Sequence, residues 1–291
     1  MTAGHVDAID ARISASIVIP TRDRPDYLRV ALASVLPQAR RAAAEVLIID
    51  NGNGTDTVTL AAEPGVRLIR PGLQGANAAR NAGVEAAQGD LIVFIDDDIE
   101  APPGWLPALL AGAEAEPDCG VFGGPIRARL EGSGPRACGR ESAPITTLDY
   151  GADNRDVQLV WSANMAIRPA ALERVGPFDE TIQGRGEEED WQRRYRAQGG
   201  RIRYLAGAGL EHRRAAADAT LRPLARAAYA LGRSARRYDQ RKGELPSLVS
   251  EVETLGGCLA HVLRRRCTVG LVAAAHSAGR LREALSPGRK T

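Results

Sequence analysis

Leu91-Ile92-Val93-Phe94-Ile95-Asp96-Asp97-Asp98 runs an unbroken apolar stretch directly into three consecutive carboxylates. Its β-branched and aromatic content, without polar alternation, predicts a strand buried on both faces, as in parallel sheets covered by helices. Carboxylates this close repel and raise one another's pKa unless a positive charge sits among them. At the carboxyl end of a buried strand, where open α/β sheets bind ligands, a divalent metal is the expected charge. The bland alternative is a solvated acidic turn.

Upstream, residues 13–20 (ISASIVIP) predict a first strand, followed by the polar turn Thr21-Arg22-Asp23-Arg24-Pro25. From Asp26 to Gln38, Leu28, Ala31, Leu32 and Val35 recur at helical spacing. Glu45-Val46-Leu47-Ile48-Ile49-Asp50 predicts a second buried strand ending in a carboxylate, with the turn-rich Asn51-Gly52-Asn53-Gly54 after it. A short strand over 66–69 and an Ala-rich helix over 75–88, closed by Gly89, lead back to the opening stretch. Strands alternating with helices, each strand tip polar, indicate an α/β protein with a mainly parallel sheet. The acidic tips at Asp50 and Asp96–Asp98 converge on one crevice in such a sheet. No GxGxxG follows the first strand, which disfavours a dinucleotide-binding Rossmann domain.

The chain has 291 residues, 44% hydrophobic and 25% charged, ordinary for a soluble globular protein with a sizeable core. Its formal charge of +2 hides an asymmetry. Residues 213–291 carry 16 Arg/Lys against 6 Asp/Glu, whereas residues 1–212 carry 22 against 30. Cys119, Cys138, Cys258 and Cys267 form no CxxC pair and show no zinc-ligand spacing, so a metal cage of thiolates is not expected. No signal-like apolar run opens the chain, and the longest uncharged stretch of the tail, Cys267 to Gly279, is 13 residues, short of a membrane span. A cytoplasmic location follows as the expectation, and the Arg-rich, Lys-poor basic content reads as GC-rich bacterial coding.

Three segments in order, SIVIPTRDRPDYLRVALASVL from Ser16, EVLIIDNGNGTDT from Glu45 and GANAARNAGVEAAQGDLIVFIDDD from Gly75, resemble the nucleotide-binding half of the family 2 glycosyltransferases. The resemblance implies a GT-A fold, Rossmann-like with a mixed, mainly parallel sheet flanked by helices, over residues 13–212, with a helical extension over 213–291. It implies that Pro20, Thr21 and Arg22 line the base pocket of a nucleotide-diphosphate sugar, that Asp50 bonds the base, and that Arg80 lies near the diphosphate or base. Asp96 and Asp98 become the acids of a DXD motif, Asp98 on Mn²⁺ or Mg²⁺ and Asp96 on the ribose or the metal. The middle acid, Asp97, is grouped with the donor contacts yet is the member expected to be dispensable. Trp161 to Arg168 and Gly176 to Glu180 resemble the acceptor-side segment, where Trp161 is either a sugar platform or a core residue.

A second acidic cluster, Gly186-Glu187-Glu188-Glu189-Asp190-Trp191, predicts a helix with acids at its positive end and glycine beyond its close. Spacing pairs Glu189 with Arg193 and Asp190 with Arg194, and leaves Glu187 and Glu188 without a basic partner. The family pattern Gly-Glu-Asp-x-Asp-Leu-x-x-x-Arg overlays here and sets the catalytic base on Glu188, with Glu189 or Asp190 the alternative if the register differs. His212, after a last strand over 201–205, matches a family histidine that approaches the metal or diphosphate; alone it would be structural or solvated.

Residues 131–156 predict a long irregular loop. Beyond Arg213, two basic amphipathic helices are expected, the second over 247–285. They would dock on the catalytic domain, form a homodimer contact or lie on the inner face of a membrane. Nucleic acid is not an expected partner, since the basic region has no reading motif or aromatic interleaving. The function expected is an inverting, metal-dependent glycosyltransferase acting on an unidentified acceptor hydroxyl. A nucleotidyltransferase making a sugar nucleotide, or a non-catalytic sugar-nucleotide-binding protein, is the alternative.

Overall fold

The computed structural model describes residues 14–72, 74–139 and 142–286. The residue at 13, expected to open the first strand, lies outside them. In chain order the elements are β1 (Ala15–Thr21), α1 (Pro25–Arg41), β2 (Glu45–Asp50), α2 (Asp56–Leu60), β3 (Val66–Ile69), α3 (Ala76–Ala86), β4 (Leu91–Ile95) and β5 (Ile99–Glu100). Then come α4 (Trp105–Ala115), β6 (Val121–Gly123), β7 (Ile126–Leu130), β8 (Arg155–Asp156), β9 (Asn164–Ile167), α5 (Pro169–Val175) and α6 (Glu187–Ala197). The chain closes with β10 (Ile202–Tyr204), β11 (Leu210–Arg214), α7 (Leu221–Lys242), α8 (Leu248–Arg265) and α9 (Val269–Ala284).

Eight strands form one sheet in the order β3-β2-β1-β4-β9-β6-β10-β8. β1, β2, β3 and β4 are mutually parallel where they pair, and β9 runs antiparallel between β4 and β6. Every residue of β4 is buried, as the unbroken apolar run requires. The register pairs Thr21 with Asp50, so the tips of β1 and β2 end level. Phe178 meets Phe94 edge-on at 5.7 Å and packs against Trp191, which carries α6 onto the sheet.

Several expectations are corrected. The glycine at 89 does not close α3, whose last residue is Ala86; a Cβ at Gly89 would lie 2.6 Å from the Ala15 carbonyl carbon, so the residue serves a close backbone approach to β1. Asn164 to Ile167, within the segment expected on the acceptor side, form a central antiparallel strand that the sequence did not indicate. A second sheet, β5-β11-β7, had no counterpart in the sequence reading, because its strands are short and charged. β11 runs through Arg214, two residues past the boundary expected at 212. Among the described residues of 131–156, β8 and a bridge from Leu148 to Ile126 are the regular pairings.

Among the described residues the tail has three helices, not two. Arg266, at φ 50, ends α8 in the left-handed region and turns the chain into α9. α7 and α9 cross closely because each offers a glycine at the crossing. A Cβ on Gly232 would lie 2.0 Å from the His276 carbonyl oxygen, and one on Gly279 would lie 2.1 Å from that of Tyr229. Much of the tail's positive charge is met internally: Glu251 pairs with Arg236 and Arg280, and Glu283 with Arg233 and Arg237. α7 also docks on the body. Arg241 bonds Asp179, and Lys242 lies 3.4 Å from Glu189. α8 buries Glu251 but exposes Leu248, Val252, Leu259 and Leu263. Among the described residues no helix is long and apolar enough to cross a membrane.

Gly232→Leu forces α7 and α9 apart and is expected to destabilise the tail by about 1–3 kcal/mol, the usual cost of overpacking. Chemical denaturation and limited proteolysis of the full chain would report it as earlier unfolding and cleavage within the tail.

Candidate active site

The buried run of β4 brings Asp96, Asp97 and Asp98 to the strand's carboxyl end, and two arginines and a histidine meet them there. Arg24, at the start of α1, donates to Asp97 at 2.7 Å and to Asp98 at 2.8 Å. Arg214 donates to Asp98, and His212 Nε2 lies 3.1 Å from Asp98 Oδ1. β11 is positioned for this by a backbone bond from Arg213 N to Asp98 O at 2.7 Å. Burial works to raise the Asp98 pKa, but His212, Arg214 and Arg24 outweigh it and hold the carboxyl below the usual range. Asp96 is pushed up, first by burial and then by Asp98.

Asp97 points elsewhere. It is buried, accepts from the Thr21 hydroxyl at 2.7 Å, and binds Arg24. Its oxygens fasten β1 and the start of α1 to β4, a structural task that the expectation of a dispensable donor contact did not include.

His212 Nδ1 lies 3.0 Å from the Thr146 carbonyl oxygen. A carbonyl only accepts, so Nδ1 carries the proton, and in the neutral ring the Nε2 lone pair lies beside Asp98 Oδ1 and accepts from Arg214 Nη1 at 3.2 Å. Asp98 Oδ1 is buried and has no hydrogen-bond partner among the described residues. Ligand atoms of Asp96, Asp98 and His212 all lie within 4.8 Å of one another. Two carboxylates and an imidazole oriented by a backbone carbonyl are a donor set that fits Mn²⁺ or Mg²⁺. Burial lowers the His212 pKa, but Asp98 raises it by more, so acid conditions favour an imidazolium–carboxylate pair.

At the tip of β2, Asp50 is 2% exposed; Oδ1 accepts from the Gly52 amide at 2.8 Å, and Arg70 lies 3.5 Å from Oδ2. Asp50 Oδ2 and its neighbour Asn51 Oδ1 are buried acceptors without hydrogen-bond partners among the described residues. Buried acceptors are rarely left so, and two together mark a place for donors from outside the chain. Of the adjoining turn, Pro20 is half-buried, Thr21 is taken by Asp97, and Arg22 is exposed.

Glu187 and Glu188 diverge. Glu187 is buried, accepts from the Gly184 amide at 2.7 Å and pairs with Arg80 at 3.2 Å, correcting the expectation that it lacks a basic partner. Burial raises its pKa despite Arg80. Arg80 also donates to Asn77 at 2.8 Å and Ser162 at 2.7 Å, so both terminal nitrogens are held by protein groups, while its buried Nε has no partner among the described residues. Asp190 pairs with Arg194 at 3.1 Å as spacing predicted, but Glu189 pairs with Arg185 and Lys242, while Arg193 reaches Glu244. Glu188 faces the Ser162 amide and hydroxyl at 3.4 Å and forms no ion pair among the described residues. Its charge reaches Asp96, whose pKa it helps to raise.

Arg24, Arg214, Asn51 and the Thr146 carbonyl were not foreseen. Arg214 had a signal, since the period of two along a strand puts it on the same face as His212. Arg24 had none beyond its place before Pro25.

The family model "Glycosyl transferase family 2" matches residues 16–176. "Pre-mycofactocin glycosyltransferase" of Mycobacterium tuberculosis is 30% identical over 199 residues, covering 65% of this chain and 40% of that protein. "Glycosyltransferase AglE" of Haloferax volcanii is 27% identical over 189 residues, 62% of this chain and 60% of its own length. The chain thus spans less than two thirds of these relatives. The crystal structure of GalNAc-T7 with UDP, GalNAc and Mn²⁺ superposes with a TM-score of 0.56 at 17% identity, covering 69% of this chain and 43% of that one, which establishes the GT-A fold.

Asp97→Ala leaves Arg24 half-paired and Thr21 without its acceptor. The expected loss is at the low end of the roughly 3–5 kcal/mol for breaking a buried ion pair. Urea unfolding would measure it, and wild-type stability in the variant would return Asp97 to the dispensable class.

Proposed function

The chain belongs to glycosyl transferase family 2, and from that membership we propose an inverting, metal-dependent glycosyltransferase that moves a sugar from a nucleotide-diphosphate donor to an acceptor hydroxyl. The observation that carries the reading is the meeting of Asp96, Asp98 and His212 with one carboxylate, Glu188, that no cation of the described residues has claimed.

In this reading Asp50 Oδ2 and Asn51 Oδ1 accept hydrogen bonds from the nucleotide base, which supplies the donors they lack. Asp98, Asp96 and His212 would hold Mn²⁺ or Mg²⁺, which when bound neutralises charge on the departing nucleotide. Glu188 takes the proton of the acceptor hydroxyl as its oxygen bonds to the anomeric carbon. The bond from that carbon to the phosphate oxygen breaks on the opposite face, so the configuration inverts. Glu187 and Arg80 act by positioning: their buried pair fixes the first turn of α6 and with it Glu188. Asp190, held by Arg194, is not the base.

The acceptor enters by a groove of about 650 Å³ that begins at Trp161, Arg185 and Arg214 and runs between residues 142–147 and the tail helices. The Arg185 guanidinium lies over the Trp161 ring at 4.3 Å, and Leu224, Leu231 and Val272 line the tail side. Such walls suit an acceptor with an apolar portion beside its hydroxyl. The relatives' names point to different acceptors, so this reading rests on the groove.

Glu188→Gln is expected to lower transfer about 10²–10⁴-fold, the usual contribution of a general base, with nucleotide binding unchanged. If Asp190→Asn produces that loss and Glu188→Gln does not, the base is misassigned. A thermal-shift panel of UDP-, GDP- and dTDP-sugars should show stabilisation by one donor with Mn²⁺ and its loss with EDTA or in Asp98→Ala. A donor shift unaffected by both would remove the metal from the proposal.

A further inference from the structure

Three ligating side chains remote in sequence meet at the seam between the irregular segment after β7 and the tail. Cys138 Sγ lies 3.4 Å from His261 Nε2, and with Cys267 Sγ the three ligand atoms all fall within 4.8 Å of one another. Cys138 comes from the irregular segment, His261 from the end of α8, and Cys267 from the turn into α9. The left-handed Arg266 makes that turn, and Cys267 beyond it is fully buried. Backbone bonds hold the two strands of chain together at the same place: Arg136 N donates to Thr268 Oγ1 at 2.6 Å, and Val269 N donates to Arg136 O at 3.1 Å.

We infer that Cys138, His261 and Cys267 bind a thiophilic divalent ion, zinc foremost, as a clamp between this segment and the tail. Tetrahedral zinc with bonds of roughly 2.3 Å to sulfur and 2.0 Å to nitrogen separates those two ligand atoms by about 3.5 Å, close to what Cys138 and His261 already show. A thiol–imidazole hydrogen bond would account for one pair but not for the third ligand. A disulfide would join the cysteines and leave the imidazole aside. Two sulfurs and an imidazole also differ in kind from the oxygen-rich set at Asp96, Asp98 and His212, so the two sites select different ions. Cys138 and Cys267 bind as thiolates, each releasing its proton to solvent. The fourth position is left to water or another external donor. Since His261 lines the groove described above, the ion would stand at its wall.

The decisive experiment titrates the reduced, chelator-treated full chain with Co²⁺ and follows the visible and near-ultraviolet spectrum. A saturable thiolate-to-cobalt charge-transfer band, displaced by stoichiometric zinc, is expected; carboxylates and imidazole alone cannot produce it. Protein purified without chelator should carry zinc by elemental analysis. Cys138→Ser and Cys267→Ser should each weaken or abolish the band, whereas Asp98→Ala should keep it. Absence of the band in the wild type, its persistence in the doubly substituted protein, or a Cys138–Cys267 disulfide found by mass spectrometry in place of metal would each overturn the proposal. The wild-type titration stands even if a variant fails to fold.

Discussion

Three adjacent carboxylates at the mouth of a buried strand must be neutralised, and much of the molecule is built to do that. Asp98, 2% exposed, could not stay ionised there alone. Arg24 reaches it from the start of α1, and Arg214 and His212 reach it from β11. This explains a sheet as small as β5-β11-β7: pairing β11 between two short strands brings its alternate residues 212 and 214 over the acidic tip. Asp97 turns the same constraint to structural use by fastening Thr21 and Arg24, the junction of β1 and α1.

A similar economy governs the other side of the crevice. Four acids open α6, where the helix dipole favours negative charge. Three are paired: Glu187 with Arg80, Glu189 with Arg185 and Lys242, and Asp190 with Arg194. The entry to the helix is also where α7 docks. Gly186 has φ 95, and a Cβ there would lie 2.3 Å from the Tyr238 ring, so this glycine answers both to the turn and to the contact. The tail therefore braces the turn that presents Glu188, besides walling the groove that Trp161 and Arg185 also line.

The buried half of the fold was legible because its strands are continuous apolar runs ending in polar tips, as in β2 and β4, and no competing structure satisfies both features. The Asp190–Arg194 pair was legible from spacing on one helix. What escaped depends on tertiary approach. Spacing offered Arg193 to Glu189, yet Lys242 and Arg185 took it, because helix periodicity says nothing of residues brought from another element. The contacts of Arg80 with Asn77, Ser162 and Glu187 likewise come from tertiary approach, two of the three from elements remote in sequence. The tail's break at Arg266 carries no glycine or proline, so the sequence around it reads as one helix. Cys138 and Cys267, with no motif spacing, come together only through the fold.

Asp98 divides its two oxygens between different tasks. Oδ2 receives Arg24 and Arg214, both permanent cations, while Oδ1 faces the Nε2 of a histidine whose other nitrogen is held by Thr146. A carboxylate anchored through one oxygen cannot swing, so Oδ1 keeps its direction toward Nε2, whose lone pair accepts from Arg214 Nη1 at 3.2 Å until an ion displaces it. Second-shell partners of this kind set ligand orientation and basicity. The arginines thus do two things that would otherwise conflict. They offset the repulsion among the three acids in the absence of an ion, and because they bind the far oxygen they leave the near one open to it.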